Sequence, residues 1–363
     1  MGKGETSPGE QRRATDARTG AEVVQLTSRD AIHHTLYFTQ ASMRGDDDTV
    51  VFVSNRSGGW DLYRATMGDG LVMQMTDTGD INPFSPATTP VDDRVFYTAG
   101  SQVRSVDATT LVEDVLAEFQ DASLGGCDVN PDATQILTVK RGDGDDALVT
   151  VATDGSGAKV FFEAPRDVGY AQFCPMEPQW ALYSSGIEQR MWTVSTRGLK
   201  DRPLYLHDAR QWITHESFLG SGDEVLFTRW PDALMAIRRN GDDPRVVSRL
   251  NAWHASSRAD GSLIVTDTTL PDVGVRLIDP DGGRDAPLCY PDATSQGARW
   301  AERTPEPGVV EADTYGPQWT HPHPAFSACG RWVTYTSDRT GMPQVYAVRV
   351  PQEPAWETRD EAS

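Results

Sequence analysis

The chain has 363 residues, of which 38% are hydrophobic and 24% charged, with 33 Lys and Arg against 53 Asp and Glu. It is too apolar for a disordered chain, and its 32 glycines and 23 prolines are too many for a long helical one. The formal net charge of −20 argues against nucleic acid and anionic membranes as partners, because both are bound through basic surfaces.

The ends of the chain and its cysteines indicate the compartment. Residues 1–20 are polar and lack the apolar stretch of a secretory signal peptide, and no run of about 18 apolar residues follows. The cysteines are far apart, which fits isolated thiols in a reducing compartment; they are Cys127, Cys174, Cys289 and Cys329. We therefore predict a cytoplasmic protein that does not span a membrane. Residues 1–20 are expected to be a mobile polar tail, and residues 353–363 a second tail.

A repeated pattern of short strands begins after the first tail. Residues 54–58 (SNRSG) match residues 337–341 (SDRTG), and each copy lies between two runs of alternating apolar residues. A glycine-containing turn between such runs is typical of a β-hairpin. Five weaker copies lie between these two: VFYTAGSQVRSV, ILTVKRGDGDDALVTV, ALYSSGIEQRMWTV, VLFTRWPDALMAI and LIVTDTTLPDVGVRLI.

The spacing of the copies predicts the architecture. Each hairpin follows a short strand that ends in a turn, and these strands are marked by Phe84, Phe173 and Phe218. Phe173 and Phe218 are 45 residues apart, and Phe84 and Phe173 are 89 apart, which corresponds to one and two repeats. A period of roughly 40–45 residues with about four short strands is typical of propeller blades. We predict an all-β, seven-bladed β-propeller over residues 21–352.

The two ends of the propeller are expected to meet in one blade. Residues 22–27 (EVVQLT) resemble the outer-strand segment 71–76 (LVMQMT), yet they precede the first blade. The last blade ends near Val350 without such a strand, so we predict that the N-terminal segment completes it. The connection over residues 284–317 is the longest, and a loop of that length in a compact fold is often functional.

Four histidines lie just before or within innermost strands: His215, His254, His321 and His323. Inner strands line the channel of a propeller, so these side chains should converge at one mouth. Residues two apart in an extended segment point to the same side, so His321 and His323 can hold one ion. Gln318 can add an oxygen and His254 can complete a set of three histidines and one glutamine. Such a set suits Mn, Fe, Co, Ni or Zn.

Other chemistry has less support in the sequence. His207 is expected to be structural or solvated, and His33 and His34 to have a role in a strand or in the channel wall. The chain has no Gly-x-Ser-x-Gly elbow and no Gly-x-x-x-x-Gly-Lys loop, which argues against a serine hydrolase and a nucleotide site. Paired carboxylates for glycoside hydrolysis stay open, since no spacing singles out a pair.

The last blade carries a family resemblance. Residues 316–348 (GPQWTHPHPAFSACGRWVTYTSDRTGMPQVYAV) resemble the C-terminal segment of oligogalacturonate lyases, where the pattern is Gln-Val-Thr-His-Pro-His-Pro-x-Phe followed by Thr-Ser-Asp. Three further stretches are similar in the same order: Arg190-Met191-Trp192, Thr214-His215-Glu216, and His254 with Asp260-Gly261. The likeness covers roughly residues 22–350.

The resemblance implies a seven-bladed propeller that binds a divalent ion, usually manganese. It implies that His254, Gln318, His321 and His323 are the ligands, that His215 is the base, and that Arg190 contacts the substrate carboxylate. The implied reaction, in pectin catabolism, is β-elimination from short oligogalacturonides. The base removes the C5 proton and the C4 glycosidic oxygen departs, leaving a 4,5-unsaturated uronate. The expected partner is a small oligouronide, and the expected state a monomer or a homodimer.

Two departures from the family pattern keep alternatives open. Ser184-Ser185-Gly186 replaces a His-Glu-Gly of the family, and Tyr170-Ala171 replaces a His-Pro. Both lie on the expected substrate side, so a lyase for a different oligouronide is one alternative. The Ser-Asp-Arg-x-Gly hairpins also occur in TolB-like propellers, so a non-catalytic interaction propeller is the other.

Overall fold

The alternating apolar runs fold into antiparallel sheets, as the sequence predicted. The computed structural model describes residues 2–45, 48–142, 144–295 and 318–357. Within these residues seven antiparallel sheets of four or five strands form the predicted seven-bladed β-propeller. No described segment forms a helix with the length and apolarity that a membrane span requires.

The strands are numbered in chain order. The N-terminal segment contributes β1 (Thr6–Ser7), β2 (Arg12–Thr15) and β3 (Glu22–Gln25). Blade one follows with β4 (His33–Thr35), β5 (Thr49–Ser54), β6 (Asp61–Thr66) and β7 (Val72–Gln74). Blade two contains β8 (Ala87–Thr89), β9 (Asp92–Ala99), β10 (Gln102–Asp107) and β11 (Glu113–Glu118). Blade three contains β12 (Ser123–Leu124), β13 (Asp128–Val129), β14 (Gln135–Arg141), β15 (Ala147–Ala152) and β16 (Ala158–Glu163).

The second half of the chain repeats the pattern. Blade four contains β17 (Ala171–Phe173), β18 (Trp180–Ser184), β19 (Met191–Ser195) and β20 (Arg202–Pro203). Blade five contains β21 (Trp212–Phe218), β22 (Glu224–Trp230), β23 (Ala233–Arg238) and β24 (Arg245–Ser248). Blade six contains β25 (Ala252–Ser257), β26 (Ile264–Thr268), β27 (Val275–Ile278) and β28 (Asp285–Cys289). A 3-10 helix (Gln318–Thr320) precedes β29 (Ala325–Phe326), β30 (Trp332–Ser337) and β31 (Gln344–Arg349) of blade seven.

The N-terminal segment closes the ring, which confirms the predicted closure. Strand β3 pairs with β31 through Val24 and Ala347, so blade seven has the order β2-β3-β31-β30-β29. Val24 is completely buried against the core of the first blade. The first and last strands of the propeller are therefore held in one sheet.

The two predicted tails are attached to the propeller where the structure describes them. Strand β1 pairs with β7 of blade one and β2 pairs with β3, so residues 2–20 hold two strands where the sequence predicted a mobile tail. Every residue of β2 is exposed, and the strand pairs through backbone hydrogen bonds, so no pattern of apolar residues predicts it. At the other end, Trp356 packs against blades six and seven and Glu357 bridges to Asp285.

The core consists of apolar layers between neighbouring blades. Between blades six and seven, for example, Val265 and Leu277 pack against Val333 and Tyr335, all of them fully buried. Burial of this kind contributes about 25 cal/mol for each Å² of apolar surface removed from water. Packing between blades fixes each inner strand relative to the next, which determines where their side chains meet.

Strand direction gives the two mouths of the channel different chemistry. In an antiparallel blade the start of the inner strand and the turn between the second and third strands lie at the same face. His254, at the start of β25, and Arg190, in the β18–β19 turn, therefore share a face. The opposite mouth opens into a cavity of about 470 Å³ whose lining includes Ser, Thr and Phe side chains and no histidine.

Candidate active site and metal centre

Three of the predicted histidines meet at one point. His254 comes from β25, and His321 and His323 from the segment that leads into β29. One ligand atom of each lies within 4.8 Å of the others, and the side chains are 1%, 2% and 1% exposed. Three buried imidazoles at this separation can share one ion.

The orientation of His254 is set by Asp267. The Asp267 carboxylate accepts a hydrogen bond of 2.6 Å from the His254 backbone N–H and lies 2.9 Å from the ring Nδ1. An imidazole that donates its Nδ1–H to a carboxylate directs the lone pair of Nε2 the other way, and metal-binding histidines are commonly held in this manner. Asp267 is itself buried, so water does not compete for this carboxylate.

The other two histidines carry unused nitrogens. Nε2 of His321 and Nε2 of His323 are buried and have no hydrogen-bond partner among the described residues. Burial lowers the pKa of His321 to about 3 and holds that of His323 well below its ordinary range, with His254 adding to both effects. Both rings are therefore neutral, which is the form that binds a metal ion. A buried nitrogen without a partner is costly unless something else satisfies it. The electron pair of Nε2 of His323 therefore fits a cation, while Nδ1 of His321 also faces the indole N–H of Trp253 at 3.4 Å.

His215 lies beside this cluster in a distorted part of β21. The register of β21 against β22 shifts between Thr214 and Ser217, and His215 has a positive φ of 55°. Its ring centroid is 4.2 Å from that of His254, and its Nδ1 has no partner among the described residues. Burial, His254 and Arg190 hold the pKa of His215 well below its ordinary range. A neutral ring with an unused nitrogen can accept a proton.

Blades five and six carry the same irregularity. The register of β25 shifts between Ala252 and Ala255, as that of β21 does between Thr214 and Ser217. The Ser217 hydroxyl donates a 2.7 Å hydrogen bond to the Ala255 carbonyl and joins the two strands. β-Bulges re-aim side chains and are frequent next to active sites. Here the two bulges bring His215 and His254 side by side.

Arg190 reaches the same mouth from blade four. Its Nε lies 2.8 Å from Oε1 of Glu216, the residue that follows His215. The Arg190 backbone N–H donates to Nε2 of His207 over 3.2 Å, so His207 has the structural role predicted for it. A guanidinium beside the histidines is placed to bind an anion such as a carboxylate.

Two stacked tyrosines lie close to the histidine cluster. The rings of Tyr37 and Tyr170 stack with centroids 4.5 Å apart and an angle of 8° between them. The Tyr37 ring is also 5.3 Å from that of His323. Tyr170 was visible in the sequence as a departure from the family pattern, whereas Tyr37, Asp267 and Glu216 were missed as functional candidates. Their roles depend on contacts between strands distant in the sequence.

The remaining candidates are placed as follows. The backbone of Gln318 opens the 3-10 helix before His321, while its side chain lies outside the described residues. His34 is buried with its ring stacked on Phe84, with centroids 5.0 Å apart. His33 accepts a hydrogen bond from Arg56. The long connection starts after β28, later than the sequence predicted, and residues 296–317 lie outside the described residues.

Comparisons with known proteins show which family the chain is similar to. The model of a family described as oligogalacturonate lyase matches residues 1–150. An oligogalacturonide lyase of Pectobacterium atrosepticum is 27% identical, with 97% of this chain and 99% of that protein covered. An oligogalacturonate lyase of Dickeya dadantii is 26% identical, with 93% and 95% covered.

Solved structures show the same fold. An oligogalacturonate lyase in complex with manganese superposes with a TM-score of 0.83 at 23% identity, over 97% of this chain and 99% of that one. An oligogalacturonate lyase of Vibrio parahaemolyticus gives a TM-score of 0.81 at 20% identity, over 96% and 99%. The resemblance predicted from the motifs is therefore confirmed: along nearly its whole length this chain is similar to the oligogalacturonate lyases, and it has their seven-bladed fold.

Proposed function

We propose that this protein is a metal-dependent lyase that cleaves short oligogalacturonides by β-elimination, in pectin catabolism. The observation that carries the proposal is the convergence of His254, His321 and His323 with His215 and Arg190 at one mouth of the propeller. The names of the curated relatives support oligogalacturonides as the substrate.

The residues that would hold the ion are His254, His321 and His323, with Gln318 as a fourth ligand. The unused buried nitrogens and the carboxylate behind His254 fit a divalent transition metal. Manganese is our choice, because a relative of the same fold has been solved with it. When bound, such an ion supplies a Lewis acid for the substrate carboxylate next to C5.

His215 is the proposed base. The C5 proton is poorly acidic, because its removal places more negative charge beside an existing carboxylate. A neutral imidazole at the correct position contributes on the order of 10²–10⁴-fold to such a proton transfer. Burial, His254 and Arg190 favour the neutral ring by lowering its pKa, and Nδ1 is the unpartnered nitrogen that would accept the proton.

Arg190 is the proposed partner of the substrate carboxylate. A guanidinium can hold a carboxylate through two hydrogen bonds and so fix its orientation. The net charge of −20 does not oppose this, because exposed charges are screened within about 8–10 Å in physiological salt. The sign of the charge at the mouth determines binding.

We also propose that the protein acts in the cytoplasm, on a small oligouronide, as a monomer or a homodimer. None of the four cysteines, all of which lie within the described residues, forms a disulfide. This supports a reducing compartment.

The direct test is turnover by the purified, manganese-loaded protein. We expect digalacturonate and trigalacturonate to yield a product with the ultraviolet absorbance of an unsaturated uronate, and chelation of the metal to abolish it. The His215→Ala variant should lose turnover while retaining Mn²⁺ and substrate binding in calorimetry. A metal-loaded protein without turnover on any oligogalacturonide would overturn the proposal. Turnover on oligomannuronate or oligoguluronate alone would instead identify a lyase for a different oligouronide.

A further inference from the structure

The Glu216 carboxylate is buried close to the residues proposed to bind an anionic substrate, where a negative charge is unexpected. Glu216 is 6% exposed and lies next to His215 on β21. Its negative charge opposes the binding of another carboxylate nearby. Its presence therefore calls for a function other than attraction of the substrate.

We propose that Glu216 is a positioning residue that holds the Arg190 guanidinium in its working orientation. This inference rests on the proposed function. Arg190 Nε lies 2.8 Å from Oε1 of Glu216, and the terminal NH2 group lies 3.4 Å from Oε2. Two parallel contacts along one edge fix the plane of the guanidinium as well as its position. The other terminal nitrogen points to the Ser185 carbonyl, 3.4 Å away.

Glu216 is itself held firmly relative to the proposed base. The side-chain amide of Gln172 donates a 2.8 Å hydrogen bond to the Glu216 backbone carbonyl. The next residue, Ser217, donates a hydrogen bond to the Ala255 carbonyl, and this contact connects the bulge of β21 to that of β25. Glu216, His215 and His254 thus belong to two strand segments, β21 and β25, that are joined by hydrogen bonds. Through Glu216 the arginine of blade four is placed relative to the histidines of blades five and six.

This geometry explains why the negative charge is tolerated. An arginine loses considerable side-chain freedom when it binds a ligand in a single orientation. The ion pair with Glu216 orders Arg190 before the substrate arrives, and misplacement of a catalytic group by about 1 Å can cost on the order of 10²-fold in rate. Orientation is gained at the expense of local positive charge.

The two roles predict different kinetics for Glu216→Gln. This variant removes one negative charge and weakens the hold on Arg190. Digalacturonate affinity, measured by calorimetry, should stay the same or increase, because the local potential becomes more positive. The turnover number should fall by about tenfold or more, towards the 10²-fold expected for a misplaced group. Glu216→Asp keeps the charge but shortens the reach, and it should lower kcat with an affinity close to that of the native protein.

The control is Glu224→Gln in the same blade. Glu224 pairs with Arg245 through two contacts of 3.0 Å each, between β22 and β24 and away from the inner strand. This variant should keep the native kcat and KM. Thermal unfolding of all three variants shows whether each is folded.

A second readout does not depend on activity. The Arg190 Nε–H signal in ¹⁵N nuclear magnetic resonance, assigned by its loss in Arg190→Lys, should be protected from solvent exchange in the native protein. It should exchange at least tenfold faster in Glu216→Gln. If the native protein is inactive, the proposed function is refuted, but the exchange rate of the Arg190 Nε–H can still be measured and still tests the contact with Glu216. Unchanged exchange, a native kcat, or weaker substrate binding with kcat retained would each overturn the positioning role.

Discussion

Replacement of Asp267 by Asn should prevent His254, a proposed metal ligand, from binding the ion, although His254 itself is unchanged. Asp267 accepts the His254 backbone N–H over 2.6 Å and lies 2.9 Å from the ring Nδ1. An asparagine has one oxygen and one NH2 group at the same two positions. The backbone N–H requires the oxygen, so the NH2 group faces Nδ1, which must then accept a hydrogen bond. The ring proton moves to Nε2, the nitrogen that would bind the ion.

The size of the effect can be bounded. Loss of a carboxylate behind a metal-binding histidine typically weakens metal affinity by about 10–100-fold, or about 1.4–2.7 kcal/mol. Asp267→Asn should lie at the upper end of this range. It reverses the ring tautomer and also removes a buried carboxylate next to His254, which would hold the divalent cation. Exchange of the equivalent aspartate for asparagine in a catalytic triad leaves the geometry intact and acts through the same tautomer change.

Calorimetric titration with Mn²⁺ tests this reasoning without any assay of activity. The matched control is Asp272→Asn in the same blade, because Asp272 bonds to Thr268 and to the Gly274 backbone N–H and to no imidazole. We expect about 100-fold weaker Mn²⁺ binding in Asp267→Asn and native affinity in Asp272→Asn. Native affinity in a folded Asp267→Asn would refute the assigned role of the tautomer.

Three further predictions concern the fold. Leu26→Ala should cost about 2–5 kcal/mol in urea unfolding, because Leu26 is fully buried where the N-terminal segment closes the ring, whereas Val112→Ala, at a residue 57% exposed, should change little. Burial raises the pKa of Asp128 to about 6, so the contribution of Asp128 to the free energy of unfolding should fall by about 2 kcal/mol between pH 4 and pH 6, and this contribution should disappear in Asp128→Asn. Burial opposes ionisation of Glu10, but the hydrogen bond from Arg56 prevails and lowers its pKa, so the stability lost in Glu10→Gln at pH 7 should vanish as the pH falls below about 4. A destabilisation that persists at pH 3 would refute the ionic role of Glu10.

The repeated hairpins could be predicted because each blade has its own local sequence pattern. Alternating apolar residues and a glycine turn encode a strand pair locally, and the repeat period then identifies the propeller. The closure by residues 22–25 was also readable, since the segment resembles an outer strand. Strand β2 was not, because its residues are all exposed and only its backbone pairs.

The histidine cluster could be predicted because its pattern is also local in the sequence. The residue that orients it, Asp267, was missed because its contact is not local. His321 and His323 are two residues apart, so their common direction follows from strand geometry. Asp267 is 13 residues from His254 and meets it only because β25 and β26 pair with a shifted register. A positive φ at His215 has no sequence signal either, since this conformation usually favours glycine or asparagine. Side chains that orient other side chains become visible only when the strands are paired.

The charge balance of the site gives the metal a second role in the proposed function. The positive charge of Arg190 is matched by Glu216, and Asp267 adds a further carboxylate beside His254. The other imidazoles of the cluster are neutral because burial lowers their pKa values. These side chains together provide no surplus positive charge for an anionic sugar in a chain that carries −20. A divalent ion held by His254, His321 and His323 would supply a positive charge that exceeds the remaining carboxylate of Asp267. Metal binding should therefore precede substrate binding.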